Sequence, residues 1–436
     1  MRKRFLLISL GCPKNLVDSE SFNYIAAKHG YEQADDFRNL DFVLINTCSF
    51  IQDAINELER VLRTVVKYKS KDKVLRIFVT GCIMQRQLDV IQKQFPQVDA
   101  WIPMADYKTF EKLITQNSLP EYHRLALTEG PYTYLKISDG CNNRCSYCTI
   151  PSIKGNLHSA DINDLVDEAK QMAKQGAVEL IVIAQDTSAY GMDIDGQKHL
   201  PELLERLHEI KEYHWLRLMY LHPRHTDKKL VQTIAKLSKI VHAFEIPLQH
   251  CNDDILKKMN RNYRKKDIIN TLQMFKEAMP DAEFRTTFMT GFPGETRKEF
   301  NELTQFVQDN RFLRMGVFAF SPEEGTPAYD WENRVSRQTA LKRKQELLSL
   351  HRELSAQYLA EYVGKEIEVL VEEVDTEEQT YLGRAWFDAP EIDGVVNFQG
   401  QGCNYGDLVQ VQIEDVIDID LFGSFRKVVS LNRKTD

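Results

Sequence analysis

Between Phe5 and Phe320 the sequence repeats one pattern: a short apolar run, a turn, then a stretch with helical spacing of its apolar residues. This alternation constrains the fold more than any other feature, because adjacent parallel strands need long crossover connections and helices supply them. In the first third the runs are Phe5–Leu10, Phe42–Ile45, Leu75–Thr80 and Val98–Ile102. Helical spacing follows at Leu16–Gly30, Gln52–Lys69, Met84–Phe95 and in a short stretch ending near Ile114. An α/β domain with a doubly wound parallel sheet is predicted there, with helices on both faces. Gly130-Pro131 marks a boundary, and six further runs follow at Tyr132–Ser138, Glu179–Ala184, Leu216–Leu221, Ala243–Leu248, Ala282–Met289 and Met315–Phe320. With helical stretches such as Ile162–Gln175 and Thr296–Asp309 between them, they predict an open (βα)6 barrel whose chemistry lies at the carboxyl ends of its strands.

The pattern then changes. Val335 to about Tyr362 reads as one long helix, with Arg337, Lys342, Arg343, Lys344 and Arg352 on a solvated face. From Glu366 onward β-branched residues fall into short runs at Ile367–Glu372, Tyr381–Phe387, Val395–Phe398, Leu408–Ile413 and Leu421–Val429, split by Gly, Asp and Asn. Five such strands predict a small antiparallel β-barrel. A chain of 436 residues has room for three cores, and we place them at residues 1–130, 131–365 and 366–436. Repeats and low-complexity tracts are absent from the sequence.

Eight cysteines are too few for a secreted disulfide scaffold, and most stand at strand ends, which points to a reducing compartment and to metal ligation. Cys12, Cys48 and Cys82 each end one of the first three strands, at the edge where open parallel sheets gather ligands. A single cysteine there reads as a small buried apolar residue, whereas three at equivalent positions make a three-thiolate site. Gly11 and Gly81 would let the backbone come close to a bulky inorganic group. After the first barrel strand comes Asp139-Gly140-Cys141-Asn142-Asn143-Arg144-Cys145-Ser146-Tyr147-Cys148, a second set of three thiols in one short loop. Structural zinc requires four closed ligands, and no fourth is local. Three thiolates suit a cubane iron–sulfur cluster with one iron left open, although zinc or chance spacing is the competing reading. Cys251 and Cys403 lack companions at ligand spacing and read as structural thiols.

Cys-x3-Cys-x2-Cys with the aromatic Tyr147 before the last cysteine resembles the radical S-adenosylmethionine (SAM) superfamily. The resemblance implies a [4Fe–4S] cluster on Cys141, Cys145 and Cys148 that chelates SAM and cleaves it to a 5′-deoxyadenosyl radical. Read together, the three modules are similar over the whole chain to the methylthiotransferases, whose last module is a TRAM domain. Membership would imply a second [4Fe–4S] cluster on Cys12, Cys48 and Cys82, with SAM as both radical source and methyl donor. One branch of that family modifies tRNA adenosines; the other modifies the β-carbon of an aspartate in the twelfth small-subunit ribosomal protein. Gly11-Cys12-Pro13-Lys14-Asn15-Leu16-Val17-Asp18-Ser19-Glu20 and Asp388-Ala389-Pro390-Glu391-Ile392-Asp393-Gly394 resemble the second branch. Pro13 departs from the small residue more usual there. The tRNA branch is the alternative. A non-catalytic electron-transfer or RNA-binding protein is a rival from another class, but it would need neither an open iron nor a SAM barrel. The resemblance places Gln185 to Gly191 at the mouth for SAM and substrate, an ordinary polar loop being the other reading. Pro247 to His250 and Gly291 to Thr296 end the fourth and fifth barrel strands, the glycines of the latter suiting close approach to the cofactor. Tyr147, Gln185, Gly291, Phe292 and Pro293 are the expected cofactor contacts. Glu295 reads equally as a first-turn acidic residue favoured by the helix dipole, and His250, a candidate for proton transfer, reads first as a structural histidine. No acid–base residue is assigned, because the difficult steps belong to the cofactors. An external one-electron donor, a sulfur donor, and the ribosomal protein or the ribosome are the implied partners.

Charge bears on the substrate. The chain carries a formal −8, but the stretch from Glu366 has 16 Asp and Glu against 5 Lys and Arg, leaving the first 365 residues at +3. An acidic module repels phosphate and favours a basic protein surface over RNA, with Glu372, Glu373, Glu377 and Glu378 as exposed candidates. At the N-terminus Arg2-Lys3-Arg4 precedes an apolar run too short for an export signal, with Lys14 and Asp18 close behind. No stretch approaches the roughly 20 apolar residues of a membrane span, so a cytoplasmic protein is expected.

Overall fold

Five parallel strands open the chain: β1 (Lys3–Ser9), β2 (Tyr31–Gln33), β3 (Phe42–Thr47), β4 (Arg76–Gly81) and β5 (Ala100–Trp101), in the spatial order β2-β1-β3-β4-β5. The computed structural model describes residues 3–72, 74–128 and 130–430. Every residue of β3 is buried, as a central strand covered on both faces must be. Its side chains alternate between two cores: Val43 and Ile45 meet Ile55, Leu58 and Leu62 of the helix Gln52–Lys69, while Phe42 and Leu44 meet Phe22 and Phe110 of the helices Pro13–Lys28 and Tyr107–Ile114. The stretch expected as one helix from Met84 is two pieces, a 3-10 turn at Cys82–Gln85 and a helix at Leu88–Gln94, because Gln87 takes a left-handed conformation with φ of 59°.

The central unit is a six-stranded parallel sheet built from β6 (Tyr132–Lys136), β9 (Glu179–Ile183), β10 (Trp215–Leu218), β11 (Ile240–Glu245), β12 (Glu283–Thr290) and β13 (Arg314–Ala319). These strands lie in sequence order without closing, an open (βα)6 barrel. A two-stranded ladder of β7 (Ser138–Asp139) and β8 (His158–Ser159) brackets the cysteine loop. Two strands end earlier than the apolar pattern suggests. In β10 the chain turns at Tyr220, with φ of 62°, and in β11 the ladder stops before Pro247, which has no amide hydrogen to donate. The long helix Arg337–Ala360 packs on β13, where His351 Nε2 and Ser355 Oγ donate to the carbonyls of Phe312 and Leu313. Arg343 does not belong to its solvated face. Buried, it pairs with Glu295 at 2.6 Å.

The last five strands are β14 (Glu366–Asp375), β15 (Thr380–Ala385), β16 (Val396–Gln399), β17 (Leu408–Ile417) and β18 (Asp420–Ser430), which close into a barrel. All its pairs are antiparallel except β16 with β18, a parallel pair that completes the closure. A buried ionic network fastens this barrel to the central sheet. Glu179, with no exposed side-chain surface, takes Arg217 Nε at 2.6 Å and also pairs with Arg384 from β15. The connection after β15 reaches the same sheet, where Asp388 meets Arg314 at 2.6 Å, Asp393 meets Arg285 at 2.7 Å, and Glu391 accepts from Tyr132 at 2.6 Å. Glu372 accepts from Arg384 at 3.0 Å and is largely buried, so it is not an exposed carboxylate; Glu373, Glu377 and Glu378 are exposed.

Candidate active site between two cysteine triads

Because β1, β3 and β4 are neighbours, Cys12, Cys48 and Cys82 arrive at one edge of the first sheet. The glycines before the first and third of them are obligatory. Gly11 has φ of 99°, and a Cβ there would lie 2.6 Å from the Cys48 Cβ; Gly81 has φ of 98°, and a Cβ would lie 2.5 Å from the backbone of Thr47. Asn15 ties the edge together, its Nδ2 donating to the carbonyls of Leu10 at 3.1 Å and Thr47 at 2.7 Å, while its Oδ1 lies 3.7 Å from the Cys82 Sγ. Asn46 completes the bracket by donating to the Asn15 carbonyl at 2.8 Å and to Ser19 Oγ at 2.9 Å. Burial pushes the Cys48 thiol up, and the Cys82 thiol up to about 12.

The second triad sits after β6. Cys145 is buried, and its Sγ accepts from Arg261 Nη1 at 3.5 Å. Arg261 is itself fixed by the Pro247 carbonyl at 2.6 Å and by Tyr263 Oη at 2.8 Å. A buried cation beside a sulfur favours a thiolate, and the need is plain nearby, where burial above all, with the neighbouring thiols adding to it, pushes Cys141 up to about 11 and Cys148 up to about 12. The loop is also held through Asn143, whose Nδ2 donates to Asp186 Oδ2 at 2.7 Å. Asp186 further accepts from Ser188 at 2.7 Å and meets His225 Nδ1 at 2.7 Å; despite burial these bonds hold its carboxyl well below the usual range.

The other expected cofactor contacts divide. Gln185 Nε2 donates to Asp139 Oδ1 at 3.2 Å, two residues before Cys141. Tyr147 and the fully buried Phe292 meet edge to face, with ring centres 6.3 Å apart, so Phe292 supports the aromatic beside the triad. Pro293 follows it in the same buried turn. Gly291 is explained by packing and not by an approaching cofactor, because its missing Cβ faces Ala340 of the long helix at 2.2 Å. Glu295 does more than favour a helix end: it accepts from the Gly291 amide at 3.0 Å and from Arg343. His250 is fully buried with Nδ1 accepting from the Asn252 amide, and Cys251 and Cys403 are buried singly, as structural residues are.

The loops of the two triads meet. Thr149, directly after Cys148, donates its hydroxyl to the carbonyl of Phe50, two residues after Cys48, at 3.0 Å. Arg86 clamps the same loop, donating to the carbonyls of Ser49 at 2.8 Å and Phe50 at 3.0 Å and pairing with Glu323 of the central unit at 2.7 Å. Lys154 is buried between the two sets, with Nζ 3.5 Å from Asp139 and 3.8 Å from Asp18, and Lys136 pairs with both carboxylates. Lys14 projects from the helix after Cys12, its Nζ 3.6 Å above the ring of Tyr220. A cavity of about 740 Å³ leads from Cys12 past Tyr134 to Glu372, Glu373 and Glu391 of the last barrel. Sequence reasoning missed Lys14, Arg86, Lys154 and Arg261; only Lys14 stands inside a motif that drew attention.

Three family descriptions match in chain order: "Uncharacterized protein family UPF0004" over residues 4–103, "Radical SAM superfamily" over 135–307 and "TRAM domain" over 363–425. The ribosomal protein uS12 methylthiotransferase RimO of Thermotoga maritima is 38% identical over 427 residues, covering 95% of this chain and 98% of the relative. Its namesake in Clostridioides difficile is 36% identical over 438 residues, covering 96% and 98%. The chain belongs to the RimO-like methylthiotransferase family. Among solved structures, the radical SAM methyltransferase TsrM of Kitasatospora setae superposes with a TM-score of 0.55 at 14% identity, covering 76% of this chain and 77% of that one, a likeness of fold alone.

Radical SAM membership implies an iron–sulfur cluster and SAM, and the residues of this methylthiotransferase fit such a group. Among the described residues neither cysteine triad brings its three sulfurs within 4.8 Å of one another, the spread that could hold a single ion. A polynuclear cluster binds each sulfur at a different iron and needs no such closeness, and the guanidinium of Arg261 beside Cys145 would balance thiolate charge there. Asp186, His222 and His225 do lie within 4.8 Å, but the Asp186 carboxylate is already taken by Asn143, Ser188 and His225, so this group serves as a brace for the loop. Among the described residues no helix is long and apolar enough to cross a membrane.

Proposed function

We propose that this methylthiotransferase is a cytoplasmic enzyme that places a methylthio group on the β-carbon of an aspartate in ribosomal protein uS12. It would work through three units, residues 1–130, 131–365 and 366–436. The observation that carries the reading is the hydrogen bond from Thr149 to Phe50, which joins the loops of two three-thiol sites. Cys141, Cys145 and Cys148 would hold one [4Fe–4S] cluster and Cys12, Cys48 and Cys82 another. When bound, these clusters and SAM supply the radical, sulfur and methyl chemistry. An external electron donor and a sulfur source complete the requirement.

The chain's own residues position and protect. Arg261 balances thiolate charge at Cys145, Asp186 and Gln185 steady the loop and the residue before it, and Arg86 fixes the distance between the two sites. Exclusion of stray hydrogen donors matters more here than acid–base groups, because a carbon radical is quenched by any donor it meets. The cavity from Cys12 ends at carboxylates of an acidic module, which suits a Lys- and Arg-rich protein and not a phosphate backbone. Relatives of both cited species carry the uS12 name, which favours the protein substrate over tRNA. Mass spectrometry of uS12 and of tRNA from cells lacking this protein tests the reading. Loss of one methylthio group from uS12, restored by the wild-type chain, supports it; loss confined to tRNA overturns it.

A further inference from the structure

Resting on that reading, an aspartate side chain must enter a largely buried space, and its carboxylate must find a cation or several hydrogen-bond donors there. Most cations around the two triads are already engaged. Lys136 pairs with Asp18 and Asp139, Lys154 lies between the same two carboxylates, and Arg285 pairs with Asp393 at 2.7 Å. Arg261 donates to the Pro247 carbonyl, Tyr263 and Cys145.

Lys14 differs. It is 9% exposed, and among the described residues no carboxylate lies within 4.0 Å of its ammonium and no hydrogen bond engages it. Its contact is the ring of Tyr220, 3.6 Å away, a cation–π interaction that fixes Nζ while leaving its N–H donors free. Tyr220 holds a positive φ of 62°, uncommon for a bulky residue, and its carbonyl is anchored by the Thr187 amide at 3.1 Å. Two elements from different units, the helix after Cys12 and the end of β10, therefore converge to present beside the first triad one ammonium with no hydrogen-bonded partner among the described residues, the carboxylates of Glu245 and Asp139 acting on it only from further off.

We propose that Lys14 binds the side-chain carboxylate of the substrate aspartate and so sets the preference for that residue. Carboxylate capture two residues from Cys12 would hold the neighbouring β-carbon close to the site that delivers sulfur. The test uses full-length protein with both clusters reconstituted, the variants K14M and K14Q, and two peptides of the uS12 loop carrying Asp or Asn at the target. Peptide binding is read by fluorescence anisotropy and modification by kcat/KM, on preparations with wild-type iron content. The wild-type protein should favour the Asp peptide by about 10- to 100-fold, the range for one charge-assisted hydrogen-bonded pair. In both variants that preference should collapse toward unity, with the Asn peptide little affected. A preference that persists in K14M and K14Q, or a loss shared equally by the two peptides, overturns the proposal. Failure of the wild-type protein to modify either peptide would instead overturn the functional reading beneath it.

Discussion

Gly81→Ala puts the geometry of the first triad to a quantitative test. Gly81 has φ of 98° and ψ of −158°, a conformation open essentially to glycine alone, so any side chain there costs about 1–3 kcal/mol in backbone strain. The new Cβ would also lie 2.5 Å from the Thr47 nitrogen and oxygen, an overlap worth about 1–3 kcal/mol more. Strand β4 cannot retreat, because Ile77 and Val79 are fully buried within it. Relief of roughly 2–6 kcal/mol must therefore come from the turn that carries Cys82, moving its sulfur relative to Cys48. Iron per chain should fall from about eight to about four after anaerobic reconstitution, with 5′-deoxyadenosine production retained and methylthio product lost. Wild-type iron and wild-type product formation by G81A would refute the claim that Gly81 holds this triad in register.

Three further outcomes follow from the fold. Charge reversal of Glu373, Glu377 and Glu378 to Lys should slow modification of uS12 most at low salt, where exposed charges are least screened; a rate equal to wild type at low salt removes any steering role. Glu179→Ala leaves Arg217, among the described residues, with the Trp386 carbonyl at 2.9 Å as its one remaining hydrogen-bond partner and should destabilise the junction of the last barrel by about 3–5 kcal/mol. Urea denaturation followed by the fluorescence of Trp215 and Trp386 measures that loss. Burial lowers the pKa of His351, whose ring donates to the Phe312 carbonyl, so the folded protein refuses a proton that the unfolded chain takes below about pH 6.5. Stability should accordingly fall as pH drops through that range, by up to about 1.4 kcal/mol per pH unit for this histidine, and H351Q should show the shallower slope in denaturation at pH 5 to 7.

Much of this architecture is legible in local pattern. The helix Gln52–Lys69 is found with the bounds its spacing indicates, and all six strands of the central sheet fall where apolar runs stand. Errors cluster where one residue overrides the pattern: Gln87 divides a helix, Pro247 ends a strand, and Tyr220 turns the chain early. The cysteines could be seen as strand ends, and the sheet order then brings three of them together. What could not be seen is what lies between units. Arg343 and Glu372 read as solvated charges but are buried against partners 48 and 12 residues away, Glu295 and Arg384. Arg261 and Lys154 carry no motif, because their role depends on long-range packing that sequence spacing does not encode.

The division of labour between the triads is tested most directly by assaying two triple variants side by side, with SAM, dithionite, a sulfur source and uS12. Replacing Cys12, Cys48 and Cys82 by Ala should halve the iron, keep 5′-deoxyadenosine formation and abolish the methylthio product; replacing Cys141, Cys145 and Cys148 should abolish both. Methylthiolated uS12 from the first variant, or SAM cleavage by the second, would contradict the account.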